Sequence, residues 1–67
     1  MNDNFKPGSL GFHELVHLTY VFADNFEQHI INHDAVEENM EIKILAESIL
    51  SQMYNLYSKC VLVESEQ

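Results

Sequence analysis

Sixty-seven residues make one domain at most, and a chain this short buries only about 60% of the surface its unfolded form exposes, so its core needs outside support. Cys60 is the single cysteine, which excludes an internal disulfide and leaves a metal or a second chain as that support. A net charge of -8, from eleven acidic residues against Lys6, Lys43 and Lys59, leaves almost nothing to neutralise phosphates or anionic head groups, so neither nucleic acid nor a membrane is an expected partner.

Residues 1–8 read as a flexible segment that ends in the turn pair Pro7-Gly8. They carry no apolar run, so neither a signal peptide nor an anchor is expected, and the free thiol of Cys60 points to the reducing cytoplasm. Ser9 can then cap a helix over about 10–32. Along it Phe12, Val16, Thr19, Ala23, Phe26, Ile30 and His33 recur at alternating steps of four and three, which is one helical face.

Asp34, followed three residues later by Glu37, has the pattern of a capping box and predicts a second helix over about 35–60. Its acids Glu37, Glu38 and Glu41 suit the positive end of the helix dipole, and Lys59 suits the last turn. The apolar set of this helix is Ile42, Ala46, Ile49, Met53, Leu56 and Cys60, with Cys60 expected to act as a small buried hydrophobe rather than a reactive thiol. Residues 63–67 read as an acidic tail.

Two helices joined by so short a connection must run antiparallel, so residues 9–62 are expected to form an all-α helical hairpin. Apolar residues are left over beside both seams, among them Leu18, Tyr20 and Val21 on the first helix and Leu50 and Tyr54 on the second. A two-fold homodimer that closes into a four-helix bundle would bury them.

His13-Glu14-Leu15-Val16-His17 spells HExxH, which sets two imidazoles one helical turn apart where both can reach a zinc ion, with Glu14 as a possible general base. Helical projection puts His13, Glu14 and His17 opposite the first seam, beside Asp24, facing solvent or a partner. A protease also needs a third ligand and a cleft built from further layers. Tyr20 and Ala23 stand at the glycine and final histidine positions of the longer zinc-protease pattern, so catalysis is not expected. His29 and His33 repeat the spacing, but the two pairs are about 18 Å apart along the helix and cannot converge within one chain.

No phosphate-binding glycine loop, no serine in a nucleophile setting and no basic stripe accompany these features. What they fit is a small acidic binding module with no resident cofactor. Glu37, Glu38 and Glu41, together with the face of His13, Glu14, His17 and Asp24, are its candidate contact residues for a partner with a basic surface. A zinc-binding protein using His13 and His17 is the alternative from a different class, and a structural assembly subunit is a third.

The order Gly11-Phe12-His13-Glu14 at the opening of a helix, His33-Asp34-Ala35-Val36 at the turn and Leu56-Tyr57 near the close resembles small proteins encoded by tailed phages and prophages. The resemblance spans residues 11–58. It implies an inhibitor of host machinery, of the anti-CRISPR or another anti-defence type, that acts in the host cytoplasm by occluding the surface of a host protein.

Overall fold

The computed structural model describes residues 6–66, and these are helical or in turns, with no strand among them. The chain enters through a turn in which the Ser9 amide donates to the Lys6 carbonyl, and Gly8 sits at φ 88, a left-handed conformation that costs glycine little. Helix α1 runs from Leu10 to Phe26. Ser9 caps it as expected, its extended backbone leaving Oγ to accept from the Phe12 amide at 3.2 Å.

Glu27–Ile31 continue α1 as a π turn, closed by the Asn32 amide on the Glu27 carbonyl at 3.2 Å. The extra residue in this turn moves the inward position from 30 to 31. Ile31 is therefore half-buried, while Ile30 and His33, both expected on the seam, are exposed.

The second helix does not begin where the capping-box pattern placed it. Asp34–Glu37 form a single turn, α2, capped by His33, whose Nδ1 accepts from the Ala35 amide at 3.0 Å. Glu37 does not reach back to complete a box; it pairs instead with Lys43 at 3.1 Å. Asn39 then breaks the helical path with an extended backbone, and its Oδ1 accepts from the Ile42 amide at 3.1 Å. A short side chain in this position satisfies an orphan amide of the first turn. The long helix α3 consequently spans Met40–Ser65 and absorbs most of the segment expected to be a tail. Val63 and Glu64 lie half-buried in its last turns, and Gln67 is outside the described residues.

The hairpin itself is present. His13 meets Glu64, Tyr20 meets Tyr57 and Glu27 meets Tyr54, and this reversed order fixes α1 and α3 antiparallel. The molecule is a rod of 46 × 18 × 16 Å. On α1 the expected seam holds through Phe12, Val16, Thr19, Ala23 and Phe26, all buried or half-buried. On α3 it is rotated: Ala46, Met53 and Cys60 face inward, but Ile42, Ile49 and Leu56 remain 48%, 49% and 56% exposed. Leu50, Tyr54 and Tyr57 take their places.

The buried hydrophobics among the described residues are Ala23, Val36, Ala46 and Cys60, all small, and no large side chain is fully buried. Small residues in the seam let two helices lie close, but they contribute little apolar area to stability. The fold thus achieves contact between helices without enclosing a sizeable core.

Candidate functional site

The rod has two unlike sides. On one, His13 and His17 lie a turn apart on α1 and line an open groove with Val16, Tyr20 and Tyr57. Nδ1 of His13 and Oε1 of Glu64 are 3.1 Å apart, so the imidazole N–H can donate to the carboxylate that α3 carries past it. The other oxygen, Oε2 of Glu64, is buried and has no hydrogen-bond partner. Such an orphaned acceptor is uncommon, because the lost hydration is normally replaced.

Further along the same side, the rings of Tyr20 and Tyr57 meet at 5.5 Å with a 56° tilt, a favourable edge-on arrangement. Tyr54 donates from its hydroxyl to Oε1 of Glu27 at 3.0 Å. That bond holds the phenol above its ordinary pKa, and desolvation and the negative charges of Glu27 and Asp24 push it the same way. Asp24 accepts from Nε2 of Gln28 at 2.9 Å.

HExxH is divided by this arrangement. His13 and His17 share the groove, whereas Glu14 lines a separate depression with Gly11, Phe12, Leu15 and Leu18. His13 and His17 therefore flank the seam instead of standing opposite it, and Glu14 does not face the space between them. Among the described residues no three His, Cys, Asp or Glu side chains are gathered so as to hold a metal ion. Zinc on His13 and His17 would need ligands from a second chain.

Glu37, Glu38 and Glu41 are exposed around the α2–α3 junction, at the far end of the hairpin from His13 and His17. Of the residues expected between two chains, Leu18 is exposed. Tyr20 and Tyr54 are engaged across the hairpin by the contacts above, and Val21 and Leu50 are half-buried.

The opposite side is apolar. Leu15, Leu18 and Phe22 of α1 border a groove whose far wall is Met53 and Leu56 of α3. Ile42, Leu45 and Ile49 continue the face of Leu56 along α3 at helical steps, all of them exposed. Ile42, Ile49 and Leu56 are thus the residues that the sequence pattern assigns to the seam with α1; a second stripe, offset by one residue, gives an equally regular pattern and is the one that meets α1. Glu64 was missed as the partner of His13 because it lay in a presumed tail.

No family model, curated protein or solved structure matches this chain. No helix among the described residues is long and apolar enough to cross a membrane.

Proposed function

We propose that this chain is a small acidic protein-binding module that works by covering the surface of another protein. The observation that carries this reading is the imbalance between a core of four small side chains and large exposed hydrophobics on both long helices, such as Phe22 at 62% and Leu45 at 65%. Contiguous exposed apolar surface on a small chain marks an interaction site.

Within this reading, the exposed acids Glu37, Glu38 and Glu41 steer the module toward a basic surface, joined by His13, His17 and Asp24 on one side of α1 and by Glu14 on the other. The phage-protein resemblance supports a host protein as the one covered and inhibition in the host cytoplasm as the outcome. A homodimer, closed as a four-helix bundle, is the form in which the module would act. The experiment is affinity capture from host lysate, comparing the native chain with Glu14→Lys/Glu38→Lys and reading captured proteins by mass spectrometry. A specific protein lost in the double variant supports the reading; capture unchanged by both reversals ends it.

Zinc binding is retained as a second reading because His13 and His17 share one groove. Metal analysis of untagged protein, with His13→Ala beside it, decides the matter: stoichiometric zinc that the substitution abolishes would favour it.

A further inference from the structure

The apolar side has a charge pattern that selects its occupant. On α3 the stripe runs Ile42, Leu45, Ile49, Gln52, Leu56 at steps of three and four, and no Asp or Glu interrupts it. On the facing α1 row Leu15, Leu18 and Phe22 are apolar, with Glu14 at the border of Leu15 and Leu18. For a chain of net charge -8, the α3 stripe is thus a strip along which a second copy meets no carboxylate.

The stripe is also self-complementary. Leu45 and Leu56, with Ile49 and Gln52 inside them, are balanced about one centre, so two α3 helices laid antiparallel bring Leu45 of each against Leu56 of the other and Ile42 against the stem of Lys59. At the stripe's ends the same register brings Lys59 beside Glu41 of the second copy. Lys43 is already paired with Glu37, whereas Lys59 is exposed with no ion-pair partner among the described residues. The groove bordered by Leu15, Leu18, Phe22, Met53 and Leu56 lies where Ile42 and Leu45 of the second copy would enter.

We propose that two copies of this chain pack through the apolar side, α3 antiparallel to α3, each inserting Leu45 into the groove of the other, with Lys59–Glu41 pairs closing both ends. The inference rests on the protein-binding reading and identifies the occupant of one of its surfaces. The interface is isologous, as a two-fold contact requires.

Sedimentation equilibrium on the untagged full chain tests this, with helicity followed by circular dichroism. The native chain is expected at the mass of two copies. Leu56→Glu places a charge on an already exposed stripe position and weakens the dimer by roughly tenfold or more while helicity is kept. Lys59→Glu weakens it by a smaller factor, and Lys59→Glu/Glu41→Lys restores it, a rescue that general destabilisation would not produce. Ser58→Glu, on the opposite side of α3, leaves the mass unchanged. A native chain that sediments as a monomer overturns the proposal, as does a dimer indifferent to Leu56→Glu, or a monomer that instead holds an amphipathic helix of another protein in the groove. A native chain that is monomeric yet still captures a host protein overturns this inference alone; a native dimer that captures nothing overturns only the proposed function.

Discussion

Tyr54 shows how one side chain couples the two helices. Its hydroxyl donates to Glu27, and that bond, ahead of desolvation and neighbouring charge, raises its pKa above the ordinary tyrosine value. A raised folded-state pKa means that the fold favours the protonated phenol. The associated stability is fully present below the unfolded pKa, near 10, and is lost as pH rises through the higher folded value. An ultraviolet titration of Glu27→Ala should therefore move the Tyr54 phenol back down toward that ordinary range; a titration unchanged by the substitution would refute the coupling. Ala23 makes the complementary point about volume. It is 0% exposed, so Ala23→Leu should cost about 1–3 kcal/mol by overpacking. Leu10→Ala, at a position 81% exposed, should stay within about 0.5 kcal/mol. Urea denaturation of the two variants checks the contrast.

At the scale of elements, the start of α3 separates what the sequence disclosed from what it concealed. The Ser9 cap, the α1 seam and the antiparallel hairpin were legible because each rests on local chemistry or on a regular spacing. The Asp34–Glu37 pattern was legible too, but it nucleates only one turn, since Asn39 two residues on offers a better-placed acceptor to the Ile42 amide. Asn39→Ala should therefore lower stability by about 1 kcal/mol, the usual value of a lost N-cap. Asp34→Ala should cost clearly less, because His33 and not Asp34 caps α2. Thermal unfolding of both variants reverses this assignment if Asp34→Ala is the more damaging. The rotation of the α3 seam was not legible, since Ile42, Leu45, Ile49 and Leu56 repeat as regularly as Ala46, Leu50, Met53 and Tyr57, and periodicity alone cannot say which stripe meets α1. The pairing of His13 with Glu64 depends on that same rotation and on the length of α3, so the candidate site was only half visible: its α1 residues were, its α3 residues were not.

For the whole molecule, contacts made by the exposed acids and contacts made by the apolar stripe of α3 should respond differently to salt. Attraction between the acidic surface and a basic partner is screened over about 8 Å at physiological ionic strength. Capture of such a partner should weaken steeply as sodium chloride is raised, whereas self-association through Leu45, Ile49 and Leu56 should change little or strengthen. A capture assay and a sedimentation series over the same salt range compare them directly; parallel loss of both would mean that one surface serves for both contacts.

The tyrosine contacts across the hairpin have an optical consequence. The chain has three tyrosines and no tryptophan, so its intrinsic fluorescence is tyrosine emission alone. Tyr20 and Tyr57 touch each other from opposite helices, and Tyr54 of α3 is tied to a carboxylate of α1. Every natural fluorophore of the protein therefore sits on the closure of the hairpin, and parting the helices alters the surroundings of all three at once. Emission recorded without any attached dye would follow opening and closing of the two arms in real time, including any change that a bound protein imposes on them.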